Sequence, residues 1–453
     1  MSKHIPKKAL LLFIGDALIV SLSYRLSPEI RYGEGAFGPA PGFILTVGMY
    51  IFAFYLADLY DFGAGFRSAK SLARVIASVL AASTVLAASY FLVPGLKAGR
   101  GIFFINAGLI CALIFSWRLG FGWFFAKFIK GHKRLVIAGA GRAGKTVYEA
   151  VKGRPDYKVV GFVDDDPQKH GLSYSPRVLG DSSTLGNLLS GREMDAVVIA
   201  ITHLKGPELL KHALNCKMNG VDVCDMPSFY EELTGKVPVE HVDDFWLVNM
   251  PVAGVRRTIY NTKLKRMLDM AFSVSGLLLS LPVSLITALA VKLQSKGPVF
   301  YRQKRTGHNG RVFEIIKFRS MKADAEGRAA VWAQENDPRV TRVGRVIRKM
   351  RIDEIPQMWN VLRGEMSFIG PRPERPEFIQ QLCEEIPFYS LRHAVKPGIT
   401  GWAQVNYRYG ASKEDAMEKL RYELFYIKNL SPLLDMHILL KTLRVILSGF
   451  GAR

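Results

Sequence analysis

Apolar residues are concentrated in two parts of this chain, and this distribution constrains the fold more than any other feature of the sequence. Four runs with few charges occupy residues 9–24, 43–57, 71–93 and 101–126, each close to the length that crosses the hydrocarbon core of a bilayer. A fifth apolar stretch lies near 267–291. The remaining residues mix charged and apolar positions. At 453 residues the chain is too long to fold around a single hydrophobic core. We therefore predict transmembrane helices attached to soluble domains.

Lysine and arginine are unequally divided between the two sides of these four runs. Ten basic residues fall on one side and four on the other. The ten are Lys3, Lys7, Lys8, Arg67, Lys70, Arg74, Lys127, Lys130, Lys133 and Arg134, and the four are Arg25, Arg31, Lys97 and Arg100. Since loops rich in Lys and Arg stay in the cytoplasm, we predict that the N-terminus and everything after residue 127 are cytoplasmic. No small-residue cleavage site follows the first run, which predicts an uncleaved anchor.

The formal net charge of +22 narrows the range of partners. Nucleic acid, anionic lipid headgroups and phosphorylated substrates would all suit such a surplus. The basic residues are mixed with acids and aromatics and form no separate arm, which favours membrane and phosphate over nucleic acid. The four cysteines form no CxxC pair, which indicates reduced structural thiols.

From His132 onward the pattern becomes that of an α/β domain. The sequence RLVIAGAGRAG predicts a strand, a tight turn and a helix, with Gly139, Gly141 and Gly144 in a GxGxxG arrangement. A second strand, KVVGFV, ends at Asp164, the spacing at which a carboxylate meets a ribose hydroxyl in dinucleotide-binding folds. Glycines in this turn also permit close packing of strand and helix with nothing bound. We predict a Rossmann-like domain, and favour an interaction or regulatory role over cofactor binding.

The fifth apolar stretch has an unusual interruption. Residues 271–291 contain no charge, both flanks are basic, and Pro282 lies in the middle. A full crossing would carry the rest of the chain to the far side of the membrane, which basic flanks disfavour. Proline removes a backbone hydrogen bond and bends a helix. We therefore predict a re-entrant helix over about 265–293 that enters one leaflet, breaks at Pro282 and returns, with an ordinary kinked span as the alternative.

The C-terminal part is dense in positive charge around a few carboxylates. From residue 292 onward, 29 Lys and Arg stand against 17 Asp and Glu. Guanidinium groups suit phosphate oxygens, which they can bind in a bidentate manner. Asp353 and Glu354 are adjacent in this field, and a carboxylate among arginines stays ionised, so it could attack phosphorus or hold Mg²⁺. An acidic pair before a proline is also a common helix boundary.

From about Lys263 to the C-terminus the chain resembles the bacterial sugar transferase family, the polyprenyl-phosphate sugar-1-phosphate transferases. Four motifs carry the resemblance, in family-like order: VFYRQKRTGHNGRVFEIIKFRSM, DPRVTRVGRVIRKMRIDEIPQMWNVLRGEMSFIGPRP, KPGITGWAQV and YELFYIKNLSPLLDMHILLKT. Four spans followed by a Rossmann-like domain resemble the larger members, which start exopolysaccharide or O-antigen repeat units. The similarity covers essentially the whole chain and is weaker before residue 130.

The resemblance implies a ping-pong mechanism. Asp353 matches the family nucleophile, which attacks the sugar-linked phosphate of a UDP-sugar, releases UMP and leaves a phospho-sugar aspartyl intermediate. Polyprenyl (undecaprenyl) phosphate then attacks that intermediate to give a polyprenyl diphosphate sugar. Glu354 matches the partner carboxylate that helps bind Mg²⁺. Other matching positions are the basic residues expected around the diphosphate and the prolines that shape the site: Lys317, Arg319, Arg348 and Arg372, and Pro282, Pro371 and Pro373.

The predicted fold class is a membrane protein in three parts. Residues 1–130 form an α-helical transmembrane bundle, 131–250 an α/β Rossmann-like domain, and 251–453 a mainly helical, monotopic catalytic domain with the re-entrant helix. The resemblance implies a bacterial inner-membrane enzyme with cytoplasmic soluble domains, acting on a UDP-sugar and polyprenyl phosphate at the lipid bilayer, as a homodimer and without nucleic acid. Two alternatives stay open: a nucleotide-sensing scaffold of a glycan assembly complex, and a nicotinamide-dependent sugar-modifying enzyme.

Overall fold

The computed structural model forms two compact units, Met1–His132 and Lys133–Arg453. It describes residues 7–33, 42–60, 69–93, 95, 99–128, 132–154, 156–170, 176–201, 206–242, 244–321, 337, 339–407, 410 and 412–448. Lys3, Arg67, Lys97 and Lys130, on which the predicted orientation partly depends, lie outside these residues.

The first unit consists of the four apolar helices that the sequence predicts. They are α1 (Lys7–Tyr32), α2 (Phe43–Leu56), α3 (Ala69–Leu92) and α4 (Arg100–Phe128). Three of them are long and apolar enough to cross a membrane. Helix α2 has 14 residues, or about 21 Å at the rise of an α-helix, which is shorter than a hydrocarbon core of about 30 Å.

A buried ion pair lies inside this bundle. Arg118 Nη2 on α4 is 2.6 Å from Asp16 Oδ2 on α1, and neither side chain is more than 2% exposed. Arg118 Nη1 also donates to the carbonyl of Leu59. A charge within a bundle is costly unless it is paired, so this contact joins α1 to α4 and to the turn that follows α2.

The second unit begins with a four-stranded parallel sheet of strand order β2-β1-β3-β4. Successive side chains of β1 enter different cores: Leu135 packs on one face, and Val136 on the other. Helices therefore cover both faces, which confirms the Rossmann-like fold. Its elements are β1 (Lys133–Ala138), α5 (Arg142–Val151), β2 (Tyr157–Val163), α6 (Thr184–Ser190), β3 (Ala196–Ile199), α7 (Pro207–Met218), β4 (Asp222–Asp225) and α8 (Met226–Thr234).

The remaining elements are mainly helical, with an antiparallel pair β5–β6 and a parallel pair β7–β8. They are α9 (Asp244–Asn249), α10 (Lys265–Gln294), β5 (Phe300–Thr306), β6 (Val312–Phe318), α11 (Arg342–Lys349), α12 (Gln357–Arg363), β7 (Ser367–Ile369), α13 (Pro376–Glu385), β8 (Gly398–Thr400), α14 (Trp402–Asn406), α15 (Lys413–Asn429) and α16 (Pro432–Ser448). Helix α15 is central: Leu420 and Leu424 are fully buried in the core of this region.

Helix α15 also joins the Rossmann-like fold to this region. The segment after α8 places Val237 in the same core, and its backbone N–H donates to Arg421 O of α15. Lys428 near the end of α15 forms a 2.6 Å ion pair with Glu231 of α8.

Helix α10 contains the fifth apolar stretch. One face is buried through Asp269, Ser273, Thr287 and Val291, whereas Leu279 on the other face is 82% exposed. Such an apolar exposed face is typical of a lipid-facing helix. The α-helix is continuous from Lys265 to Gln294 with Pro282 inside it, so it is not divided into two helices. Re-entry into one leaflet stays a prediction.

Candidate active site

Asp353 and Glu354 lie in a single 3₁₀ turn, Ile352–Glu354, between α11 and α12. Arg351 precedes them with φ +55°, a left-handed conformation that ends α11 and turns the chain abruptly. Both carboxylates are buried, with Asp353 9% and Glu354 7% exposed. The turn therefore places two adjacent acidic groups in a poorly hydrated position.

Three cationic side chains surround Glu354. Arg372 Nη2 is 2.5 Å and Lys317 Nζ 3.4 Å from Glu354 Oε1, and Arg351 Nη1 is 3.7 Å from Oε2. Burial alone would raise the pKa of Glu354, but the charges of Arg372, Lys317 and Arg351 outweigh it and hold the pKa well below its usual range. Glu354 is thus a fixed anion that positions the cations around it.

Asp353 has a different environment from its neighbour. Within the described part of the chain, its carboxylate receives no hydrogen bond and forms no ion pair. Burial, followed by the negative charge of Glu354, raises its pKa to about 6, against the opposing effects of Lys317, Arg348 and Arg372. A carboxylate that is ionised near neutral pH but lacks donors is available to react.

The structure brings together most of the predicted basic residues. Lys317, on β6, and Arg372 both contact Glu354, and Arg348, on the last turn of α11, contributes to the electrostatic field at Asp353. Burial lowers the pKa of Lys317, against the opposing effect of Glu354. These residues come from three different elements, so the fold assembles a cationic site around the acidic turn.

Arg319 is placed differently from the other predicted cations. Its Nη2 donates to Ser295 O at 2.8 Å and its Nη1 to Lys296 O at 3.1 Å, just beyond the C-terminal end of α10. Its side chain is buried there. In this position Arg319 stabilises the end of the apolar helix, and its predicted phosphate contact has no support from these hydrogen bonds.

The segment Gly370–Pro373 is fixed by its backbone carbonyls. Pro371 O accepts from Gly398 N at 2.8 Å, and Pro373 O accepts from Arg305 Nη1 at 3.2 Å. Pro371 and Pro373, both predicted to shape the site, are buried. The guanidinium of Arg372 between them is therefore presented by a rigid segment.

A buried ion pair that the sequence analysis did not predict, Arg392 with Glu423, contacts the backbone of this segment. Arg392 Nη2 donates to Arg372 O at 2.8 Å and to Glu423 Oε1 at 2.8 Å, and Arg392 Nη1 donates to Tyr389 Oη at 2.6 Å. Both charged side chains are 3% exposed. Only the tertiary fold brings α15 beside this loop, so no local sequence signal marks the pair.

Asn360 is a second positioning residue without a sequence signal. Its side chain is fully buried, accepts from Ile316 N at 3.1 Å and donates to Glu314 O at 2.6 Å. It thereby fixes β6, which carries Lys317, against α12, which follows the acidic turn.

A small, open pocket adjoins Arg372. Its lining includes Thr306, Pro371, Arg372 and His393. Burial, and then the charge of Arg392, lowers the pKa of His393 to about 4, so its ring is neutral near pH 7. The pocket therefore presents a neutral imidazole beside Arg372 and Arg392.

The predicted Mg²⁺ site at Glu354 stays a prediction. Among the described residues, no group of three or more His, Cys, Asp and Glu side chains could hold a metal alone. Mg²⁺ commonly uses one or two carboxylates together with substrate phosphates and water. Asp353 offers one such carboxylate, whereas both oxygens of Glu354 already face Arg372, Lys317 and Arg351.

The glycine turn of the Rossmann-like domain is also defined by contacts. A Cβ on Gly144 would lie 1.9 Å from Gly139 O, and Gly139 has φ +117°, whereas a Cβ on Gly141 would meet nothing. Asp164 Oδ2 accepts from Ala140 N of the turn at 2.7 Å. The carboxylate predicted for a ribose is thus bonded to the turn itself, and nucleotide binding here stays a prediction.

Comparison with known proteins adds a further set of findings. Residues 260–449 match the bacterial sugar transferase family, and residues 134–205 match the PglD N-terminal domain. The chain is 42% identical over 301 residues to a UDP-N-acetylgalactosamine-undecaprenyl-phosphate N-acetylgalactosaminephosphotransferase of Aeromonas hydrophila, covering 66% of this chain and 69% of the relative. It is 36% identical over 342 residues to a UDP-glucose:undecaprenyl-phosphate glucose-1-phosphate transferase of Escherichia coli, covering 72% and 70%.

Proposed function

This chain belongs to the bacterial sugar transferase family and is a phosphoglycosyl transferase, and we propose that it moves a sugar-1-phosphate from a UDP-sugar to undecaprenyl phosphate. The observation that carries the proposal is the contrast within the acidic turn. Asp353 is buried and has no donor among the described residues, while the adjacent Glu354 is held by three cations. One carboxylate is thus available for attack, and the other organises groups that bind phosphate.

The proposed reaction has two displacements at one phosphorus atom. A carboxylate oxygen of Asp353 attacks the sugar-linked phosphorus, an oxygen–phosphorus bond forms, and the bond to the UMP oxygen breaks with its electron pair leaving on UMP. An oxygen of undecaprenyl phosphate then attacks the same phosphorus and displaces Asp353, giving a polyprenyl diphosphate sugar. Lys317, Arg348 and Arg372 would neutralise the charge that develops on the phosphoryl oxygens.

Mg²⁺ is proposed as the cofactor, and Glu354 is the residue that would help to hold it. When bound, it would neutralise phosphate charge and make UMP a better leaving group.

Contacts at both ends of α10 support insertion from one side of the membrane. Near its N-terminal end, Asp269 Oδ1 accepts from Phe368 N at 2.8 Å. At its C-terminal end, Gln294 Oε1 accepts from Val343 N at 3.0 Å. A straight helix of this length extends about 45 Å, yet both ends hold elements that flank the acidic turn.

This arrangement favours the predicted re-entrant placement over a span, because a span would separate the two contacts across the bilayer. We further propose that the enzyme lies in the bacterial inner membrane with its soluble domains in the cytoplasm, where nucleotide-sugars are made. A homodimer is proposed from the family resemblance, and crosslinking in native membranes that captured only monomer would contradict it.

The direct test is UMP release from a panel that includes UDP-N-acetylgalactosamine and UDP-glucose. Detergent-solubilised wild type and Asp353→Asn are compared with Mg²⁺, with and without undecaprenyl phosphate. Without acceptor, wild type should release about one UMP per enzyme and carry a phospho-sugar adduct on the peptide containing Asp353, detected by mass spectrometry. Release that strictly requires acceptor, with no adduct, would replace the two-step mechanism with direct transfer.

A further inference from the structure

Two cationic side chains meet at the beginning of α10, away from the acidic turn. Arg266 Nη2 and Lys396 Nζ are each 3.6 Å from the point that a Cβ on Gly364 would occupy. The two cations are therefore separated by no more than twice that distance. Gly364 has φ +84° and carries no side chain, so both cations approach its backbone closely. We refer to Arg266 and Lys396 as the foot pair.

The two members of the foot pair differ in how they are held. Arg266 Nη1 donates to Val361 O at 2.5 Å and its Nη2 to Leu362 O at 2.7 Å, which fixes the guanidinium at the C-terminal end of α12. A guanidinium has five N–H groups, so these two contacts leave donors for a further acceptor. Arg266 is thus a preformed half of an anion site.

Lys396 has no comparable partner. It is partly buried, and within the described residues its ammonium group forms neither a hydrogen bond nor an ion pair. Burial, followed by the charge of Arg266, lowers its pKa, and the nearby Asp269 only partly opposes this. Asp269 Oδ1 already accepts from Ser367 Oγ at 3.0 Å. A second cation beside Arg266, with no hydrogen-bonded or ion-paired carboxylate of its own among the described residues, favours an anion from outside the chain.

The surroundings of the foot pair indicate which anion is available. Met267 on the first turns of α10 is 60% exposed, and Trp359 on α12 is 49% exposed with Arg363 lying 5.8 Å from its ring centroid. Exposed tryptophan, aliphatic and basic side chains together are typical of the boundary between lipid and water. At that depth the abundant anions are the phosphate groups of lipids.

We propose that Arg266 and Lys396 bind the phosphate group of an anionic membrane lipid beside Gly364. The site is distinct from the acidic turn, because Asp353 precedes α12 and Gly364 follows it, and a seven-residue helix extends about 10 Å. A phospholipid and undecaprenyl phosphate share the chemistry that the pair recognises. The site does not depend on the proposed reaction, since its occupancy requires no sugar donor.

The test uses the full chain in phosphatidylcholine nanodiscs that contain a small fraction of phosphatidylglycerol or, separately, of undecaprenyl phosphate. Native mass spectrometry measures the retained anionic lipid. Lys396→Gln should retain at least about fivefold less of whichever lipid the site prefers, and Lys396→Arg should keep it. Lys263→Gln is the matched control, because it removes an exposed charge about one helical turn before Arg266. It should change lipid retention less than twofold. The preferred lipid identifies the source of the phosphate.

A second measurement needs no variant and therefore does not depend on folding of Lys396→Gln. Acylation of lysines in the wild type, read by peptide mass spectrometry, should be at least about threefold slower at Lys396 when the anionic lipid is present, and unchanged at Lys263. Equal acylation with and without anionic lipid would overturn the proposal. So would equal loss of lipid from Lys396→Gln and Lys263→Gln, because that result indicates diffuse attraction to the membrane surface.

Discussion

Two buried aspartates, Asp164 in the Rossmann-like domain and Asp353 in the transferase domain, differ in what surrounds their carboxylates. Asp164 accepts from Ala140 N at 2.7 Å, Asp166 N at 3.0 Å and Lys169 Nζ at 3.1 Å. Asp353 accepts from none of the described residues. Burial acts to raise the pKa of both groups, but the hydrogen bonds outweigh it at Asp164 and lower the pKa there, whereas the pKa of Asp353 rises to about 6.

This difference separates a carboxylate that holds structure from one that can react. Donors that stabilise the charged form make a carboxylate a weaker base and a weaker nucleophile. Asp164 would have to break its bonds to the glycine turn before it could bind a ribose hydroxyl or take part in chemistry. Asp353 has no such bonds to lose. The environment of the side chain, more than the motif that contains it, therefore distinguishes the two roles.

The largest expected effect comes from exchanging each aspartate for asparagine. Asp353→Asn should lower transfer of sugar phosphate to undecaprenyl phosphate by at least about a thousandfold, because the nucleophile is lost. Asp164→Asn, the matched control, should stay within about threefold of wild type. The measurement is incorporation of radiolabelled sugar into lipid at saturating donor. Comparable losses in both variants would remove the distinction between the two carboxylates.

The next largest effect is expected from breaking the buried ion pair between Arg392 and Glu423, which contacts the backbone of Arg372. Glu423→Gln leaves Arg392 charged and unpaired at 3% exposure, and breaking a buried pair typically costs about 3–5 kcal/mol. We expect a clear fall in the unfolding temperature of the detergent-solubilised protein and a lower kcat with KM little changed. Glu384→Gln, on an exposed position of α13, is the control and should unfold like wild type. An unaltered unfolding temperature for Glu423→Gln would show that the pair is dispensable.

A smaller effect on kcat is expected from replacing Arg372 or Arg319, and the two replacements should differ in their consequences. Arg372→Gln removes a cation at Glu354 and should lower kcat about a hundredfold, as loss of one charge-stabilising donor does. Arg319→Gln removes the bonds beyond the end of α10, so we expect a lower unfolding temperature and less than tenfold loss of kcat in the folded fraction. Reversed results would move Arg319 into the phosphate site.

The sequence predicted those parts of the molecule that depend on local pattern. The four apolar runs and the apolar strand before the glycine turn are properties of short segments, and the structure confirms the helices and the parallel sheet. Long motifs also predicted that Lys317 and Arg372 would lie near Asp353 and Glu354, and both contact Glu354.

The rest depends on contacts between segments far apart in the chain. Arg392 meets Glu423 31 positions later, and Asn360 meets β6 more than 40 positions earlier, so neither residue has a local signature. Arg319 shows that closeness in sequence does not ensure a shared site. It lies two residues after Lys317, but it donates its hydrogen bonds to carbonyls just beyond the end of α10. The sequence shows that a residue is basic, and only the fold determines which hydrogen-bond acceptors it contacts.

The smallest expected effect is a loss of folding stability in Asp164→Asn. Asp164→Asn keeps one acceptor oxygen but loses the charge that Ala140 N, Asp166 N and Lys169 bind, which should lower stability by about 2 kcal/mol, the order of a charged hydrogen bond. Because the folded state lowers the pKa of Asp164, its contribution is complete above the unfolded value near pH 4 and is lost as pH falls through the folded value. The variant and the wild type should therefore differ in unfolding temperature at pH 7 and converge below about pH 4. A difference that persisted unchanged in acid would mean that the carboxylate charge does not hold the glycine turn.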